Sequence, residues 1–317
     1  LPVRTGNSYS ASSDSDTGLE RPRQRRSPVI GLRAMKLPRV RTIILAPLVV
    51  FALFYVSLVA FLLLDNETVM PIAGEAASHQ TVAIFGASGT AGDGILKAAL
   101  ANPDIDRIHV ISRRTTPRID AGVTSGKVEM TLHLDYLDYS AIHGQLEAAD
   151  AVYWAIGTSS VGVDEETYGK IHVDFPVQFV REWIGVSDKP DISFHYISSS
   201  DISADSRMMW AREKVRAENT LFEVAAGSNL RVIAYRPDYI GPTKEEAHIG
   251  QTLLYWFFAP VSSAVKATQI GQAMFEVTAR GFEFGNGDRL GTRSIIRYSD
   301  AYQRRQDVAA GASLAGD

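Results

Sequence analysis

Thr81–Gly94 reads TVAIFGASGTAGDG, a short apolar run that breaks into three glycines, Gly86, Gly89 and Gly92. The run starts on a β-branched residue and reads as a buried strand; Ile95–Leu100 beyond it reads as a helix. A strand that feeds a glycine-rich turn and then a helix brings backbone N–H groups and a helix N-terminus up to a pyrophosphate. In that reading Gly86 makes the tight turn and Gly89 admits the phosphates, while Gly92 lets the helix pack close to the strand. Ser88 and Thr90 belong to the same cofactor-binding turn. The spacing is G-x-x-G-x-x-G, not G-x-G-x-x-G. An ordinary strand-to-helix turn is the plainer reading, and the flanking elements weigh against it.

Outward from this turn, strand and helix patterns alternate. Arg107–Ser112, Val128–Leu134, Ala151–Ile156, Ser193–Ser198 and Arg231–Tyr235 read as further strands. Ile95–Ala101, Tyr139–Ala148, Ile171–Gly185 and Arg212–Ala226 read as amphipathic helices between them. This order predicts an α/β fold, a doubly wound parallel sheet of Rossmann type with helices on both faces. Ligands then bind at the carboxyl ends of the strands. Beyond Gly241 a small C-terminal lobe is expected, with an aromatic helix-like run at Gln251–Phe258 and a helix near Gln269–Arg280. Leu253–Phe258 either forms core of that lobe, caps a pocket or touches a bilayer. The expected cofactor-binding domain covers residues 80–285, and 286–317 reads as a weakly structured tail in which Arg289, Arg293 and Arg297 form a solvated face.

The strand ends carry the chemistry. The second strand ends in Ser112-Arg113-Arg114, where an acid would hold an adenosine ribose and arginine suits a 2′-phosphate. NADP is therefore favoured over NAD. Asp135 and Tyr136 follow the third strand, placed to meet adenine, and Gly157 ends the fourth, where a small residue lets a cofactor lie close. Ser198-Ser199-Ser200 ends the fifth, and Trp210 and Lys214 lie one turn apart on the following helix. Pro237 follows the sixth strand and is placed to border a nicotinamide. Seven histidines show no paired metal-ligand spacing, and the absence of cysteine excludes thiolate sites and disulfides. No metal is expected.

The N-terminal region differs from the rest. Residues 1–41 form a basic, Ser- and Arg-rich tail that reads as disordered. Thr42–Leu64 then runs 23 residues without a charge. A helix of that length, at about 1.5 Å per residue, spans a hydrocarbon core of about 30 Å. The expectation is a single-pass N-terminal membrane anchor followed by a linker over 65–79. A cleaved signal peptide is the alternative, with Gly74-Glu75-Ala76 as a small-x-small site. Arginines and lysines precede the span and Asp65, Glu67 and Glu75 follow it, which keeps the N-terminus cytoplasmic and sends the domain across. A dinucleotide site argues for an intracellular compartment. An endoplasmic-reticulum lumen reconciles the two and a bacterial periplasm does not. The net charge of −4 excludes a basic nucleic-acid-binding domain.

Taken together, the glycine turn, Ala155-Ile156-Gly157-Thr158, Ile197 with its three serines, the Lys214 helix and Arg236-Pro237 resemble an atypical short-chain dehydrogenase/reductase. The likeness is nearest the Tat-interacting-protein oxidoreductases and covers roughly residues 81–281. It implies a Ser, Tyr and Lys set, in which Ser199 orients a substrate carbonyl and Lys214 holds the ribose and lowers the pKa of the tyrosine. The tyrosine position holds Trp210, whose indole N–H donates a hydrogen bond but is no acid or base near neutral pH. Tyr168, Tyr196 and Tyr239 are the phenols that stand as substitutes. Two functions follow: a membrane-anchored NADP-dependent oxidoreductase on a small carbonyl or alcohol, or a catalytically weakened dinucleotide-binding sensor or assembly protein.

Overall fold

The computed structural model describes residues 40–64, 67–72, 76, 80–243 and 249–315. The basic tail up to residue 39, much of the 65–79 linker, and Gly74 and Glu75 of the small-x-small site lie outside the described residues. The chain divides into two compact units, Leu1–Val50 and Phe51–Asp317. In the first, the described residues belong to helix α1 (Val40–Leu63), which continues into the second. Leu45–Leu62 of α1 is long and apolar enough to cross a membrane, and none of it is buried in protein.

The second unit holds the sheet. Strands β1 (Thr81–Phe85), β2 (Arg107–Ser112) and β3 (Val128–Leu132) alternate with helices α2 (Thr90–Ala101) and α3 (Pro117–Thr124). After α4 (His143–Ala148) come β4 (Ala151–Trp154) and a helical stretch of α5 (Glu165–Gly169), a wide π turn at Lys170–Asp174, and α6 (Phe175–Val186). Then follow β5 (Ile192–Ile197), α7 (Met209–Ala225) and β6 (Leu230–Arg236). The C-terminal part comprises β7 (Tyr239–Gly241), α8 (Ile249–Phe258), β8 (Ala264–Lys266), α9 (Ala267–Ala279), β9 (Arg289–Gly291) and α10 (Thr292–Ala315).

Seven strands form one parallel sheet in the order β3-β2-β1-β4-β5-β6-β9, and β7 pairs with β8 separately. The order reverses between β1 and β4, so a crevice opens there at the strands' carboxyl ends. Alternate residues of each strand feed two cores. Val82 and Ile84 of β1 face a layer with Ile95, Ile270 and Ile295, while Ala83 and Phe85 face one with Phe179, Trp183 and Leu221. Burial on both faces explains why β4, and β1 beyond Thr81, are apolar.

Two expectations change. The segment 286–317 contains a sheet strand and a long helix, not a loose tail. β9 hydrogen-bonds to β6 (Ala234↔Arg289), and α10 buries Ile295 and Tyr302 against the core. Its polarity belongs partly to ion pairs: Arg305 meets Glu276 and Asp104, each at 2.9 Å. Arg289, exposed as expected, also binds the buried Glu218 at 2.9 Å. The aromatic run is the second change. No residue of α8 is buried, so it contributes nothing to a core.

If β9 and α10 complete the sheet, a chain ending at Asn286 should lose its cooperative thermal transition. One ending at Gly311 should keep a midpoint within about 2–4 °C of the full chain, the shift expected for less than about 1 kcal/mol. Circular dichroism melts of both distinguish a structural from a dispensable C-terminus.

Candidate functional site

The glycine turn sits where β1, β4 and α2 converge. Gly86 has φ +78°, a left-handed conformation, and a Cβ there would lie 2.6 Å from the Ala155 carbonyl carbon. At Gly92 a Cβ would lie 2.1 Å from the Gly86 oxygen. These two glycines are therefore required by the backbone itself. Gly89 is not: a Cβ there would lie in ordinary contact, 3.5 Å from the Gly86 oxygen. Gly89 is instead the N-cap of α2 and offers that helix no side-chain acceptor. The first N–H groups of α2 thus lack a capping side chain at the crevice, as anion binding requires.

A cleft of about 650 Å³ opens over this turn. Gly86, Ser88, Gly89, Arg113, Arg114, Tyr136 and Gly157 line it, all expected from sequence. Thr158 follows Gly157 at the same strand end, as the sequence placed it; Ser112, Ala155, Ile156, Ile171 and Phe175 of the wall were not expected. Thr90 and Gly92 lie in the first turn of α2, behind the lining. Asp135 stands outside it, exposed, with its carboxylate accepting from the Leu137 N–H at 3.0 Å. Both arginines are exposed, and the Arg114 guanidinium reaches the Ser88 carbonyl at 3.4 Å. A phosphate-sized anion beside them would meet exposed cations, and the uncapped α2 would take another. The lining fits a dinucleotide in its volume, its glycine floor and its charge.

Deeper along β5, a buried chain of polar groups begins at Lys214. Its ammonium donates to the Ile197 carbonyl at 2.8 Å and to the Tyr196 hydroxyl at 3.2 Å. The Tyr196 hydroxyl donates to the His172 carbonyl at 2.9 Å. His172 Nε2 lies 3.1 Å from the Thr158 nitrogen and 3.2 Å from the Thr158 carbonyl oxygen. Burial, aided by the Lys214 charge, pulls the His172 pKa down to about 3. Burial also brings Lys214 down from 10.5 to about 7, against the pull of Glu218. Tyr168 stacks on His172 with ring centroids 4.1 Å apart. A Cβ at Gly157 would lie 2.9 Å from His172 Cε1, so that glycine makes room for the histidine. His172 lies in the π turn, which sequence periodicity does not reveal; Ile171 in the same turn and Phe175 just beyond it line the cleft.

Ser199, Trp210, Lys214 and Pro237 do not line the cleft. Ser199 and Trp210 are half-buried at the ends of β5 and the start of α7, and Pro237 is buried. The Pro237 carbonyl accepts from Ser200 N–H at 3.2 Å and so continues the β5–β6 edge. The substitute phenols are engaged elsewhere. Tyr196 is fully buried and its pKa is raised by desolvation. Burial, with the Glu213 charge adding to it, pushes Tyr168 up to about 12. The Tyr239 hydroxyl points at the Gln251 carbonyl, 3.4 Å away. A second cavity, of about 700 Å³, lies under α8 between Lys97, Thr243, Tyr255 and Lys266, apart from the glycine turn.

The chain matches no protein-family model. It is 30% identical over 143 residues, 44% of its length, to leucinostatins biosynthesis cluster protein T of Purpureocillium lilacinum, and spans 51% of that relative. It is 25% identical over 195 residues, 61% of its length and 80% of the relative, to the mitochondrial protein fmp52 of Emericella nidulans. Among solved structures, 3-oxoacyl-(acyl-carrier protein) reductase from Brucella melitensis in complex with NAD superposes with a TM-score of 0.53 at 16% identity, covering 70% of this chain and 98% of that one. Other solved neighbours are dehydrogenases, reductases and sugar-nucleotide epimerases. The chain thus shares the Rossmann-type fold of these reductases and epimerases. Nothing in these likenesses singles out the Tat-interacting-protein oxidoreductases.

The lysine gives a pH signature. Its folded pKa, about 7, lies below the 10.5 of the free side chain, so unfolding takes up a proton between those values and the stability that depends on it rises with pH. Lys214→Met removes that rise. The wild-type midpoint minus the variant midpoint should therefore increase from pH 7 to pH 9; a constant difference would show an ordinary lysine.

Proposed function

We propose that this chain is a membrane-anchored NADP-binding protein of the atypical short-chain type, and an oxidoreductase on a small carbonyl or alcohol with an altered proton donor. The observation that carries this reading is the uncapped α2 N-terminus over the Gly86–Gly89 turn, facing a cleft with Arg113 and Arg114 at its rim. When bound, the nicotinamide cofactor supplies or accepts a hydride. The chain's own residues hold its charged end: the turn and α2 take the pyrophosphate, and the arginines take a 2′-phosphate. The preference for NADP rests on those two side chains.

A second reading has its own support, namely Trp210 where the family places a phenol. General acid catalysis contributes about 10²–10⁴-fold, so its loss leaves a protein that binds the cofactor and turns over little. The engagement of Tyr168, Tyr196 and Tyr239 favours this reading over a transferred proton donor. Ser199 and Lys214 then act as a scaffold for the ribose and carbonyl. The apolar span of α1 supports a single-pass anchor, and the mitochondrial relative supports a mitochondrial membrane.

The cofactor assignment is tested by calorimetry on the chain from Ala76 onward. Arg113→Ala should weaken NADPH about tenfold or more, the loss of a charge-assisted contact worth about 1.5–3 kcal/mol, and leave NADH unchanged. Equal losses for both would remove the arginine from 2′-phosphate recognition.

The donor assignment is tested at the tryptophan. Trp210→Tyr restores a Tyr-xxx-Lys pair on one face of α7 and should raise carbonyl reduction by about 10²-fold. Lys214→Met in that background should abolish the gain. If the wild type turns over briskly and Trp210→Tyr slows it, the proton comes from elsewhere.

A further inference from the structure

The α8 helix, Ile249–Phe258, carries no charged residue and buries none of its side chains. Ile249 is 83% exposed, Trp256 73% and Leu253 65%. A contiguous apolar surface of this kind marks a partner. The identity of that partner follows from what α8 already touches. The Tyr55 ring of α1 stacks on Phe257 at 5.6 Å, and its hydroxyl donates to the Phe257 carbonyl at 2.7 Å. Tyr55, Leu58, Val59 and Leu62 of α1 are half-buried and spaced along one helix face.

Depth decides the rest. Tyr55 precedes Leu64 by nine residues, about 13–14 Å along a helix at about 1.5 Å per residue. Half of a hydrocarbon core is about 15 Å. With α1 spanning and Leu64 at the boundary, Phe257 lies well inside the leaflet next to the domain. We propose that α8 is embedded in that leaflet beside α1, its partner the hydrocarbon of the lipid; this rests on reading α1 as the span.

The polarity of α8 runs the right way. Gln251 and Thr252 lie near its start, and Leu253–Phe258, the end that meets Tyr55, is apolar but for one phenol. In lipid every backbone polar group needs a partner in the protein. The carbonyls at this end have one: Phe257 from Tyr55, Phe258 from the Ser263 N–H at 3.1 Å, and Ala259 from the Ser262 N–H at 3.0 Å. Ser262 adopts φ 54°, the left-handed turn that folds those N–H groups back.

The chain contains no cysteine, so single-cysteine variants of the full chain report one position each. Leu253→Cys, Trp256→Cys, Val50→Cys in α1, and Val161→Cys on an exposed loop are labelled with an environment-sensitive fluorophore in phosphatidylcholine vesicles. Acyl-chain nitroxide lipids are then added. Positions 253 and 256 should show blue-shifted emission and lose intensity to the nitroxides, as position 50 does, while position 161 stays aqueous. If 253 and 256 behave like 161 while 50 is quenched, α8 is not in lipid and the proposal falls with the anchor intact. If 50 is aqueous and 253 is quenched, the anchor reading falls and takes with it the placement of α8 beside a spanning α1. If both are aqueous, both readings fall. Shielding at 253 without lipid quenching, with disulfide cross-links between copies, would make α8 a dimer face and overturn the proposal.

Discussion

At one point three backbones meet at distances that admit no side chain. A Cβ at Gly92 would strike the Gly86 oxygen, and a Cβ at Gly86 would strike the backbone of Ala155. This contact pins the end of β1, the start of α2 and the exit of β4 together. The crevice between β1 and β4 then has an uncapped helix N-terminus on its floor, and the partial positive charge of α2 is directed into it. Gly89 serves a different end from its two neighbours. The fold does not need a glycine there, since a Cβ would sit in ordinary contact.

A second constraint lies under the same strand ends. Lys214 donates to the Tyr196 hydroxyl, Tyr196 donates to the His172 main-chain carbonyl, and the His172 ring lies against the Thr158 backbone at the wall of the cleft. Such groups are costly to bury unless each finds a partner. Next to them Glu218, fully buried, is held by Arg236 at 2.8 Å and Arg289 at 2.9 Å. Desolvation pushes its pKa up, but Arg236, Ser198 and Arg289 prevail and hold it below the ordinary carboxylate value. One of those arginines comes from β9. The C-terminal strand therefore closes the sheet and neutralises a charge close to the candidate catalytic lysine.

Much of this was legible in the chain. Periodicity and the glycine turn identify six of the seven parallel strands and the crevice, because strands buried on both faces are apolar throughout and turns of this geometry demand glycine. The N-terminal span is legible for a similar reason, since a helix in lipid is apolar on all sides. The 286–317 segment misled because its helix meets the core through a few residues, Ile295, Ser299 and Tyr302, among many charges. Those charges are satisfied by partners distant in sequence, such as Glu276 and Asp104.

The sequence by itself determined six strands of the sheet, the glycine turn, the two arginines after β2 and the Trp210–Lys214 spacing on α7, since each depends on residue type at a local position. Only the tertiary structure decided the rest of the cleft wall. Ile171 and Phe175 face the cleft, and His172 packs under Gly157, where a π turn displaces the helix from the 3.6-residue repeat that sequence reading assumes. It also decided that Tyr196 is spent as the partner of Lys214 and that the aromatic α8 lies on the surface. Burial and pairing are properties of what lies opposite a side chain, and a linear pattern does not contain them.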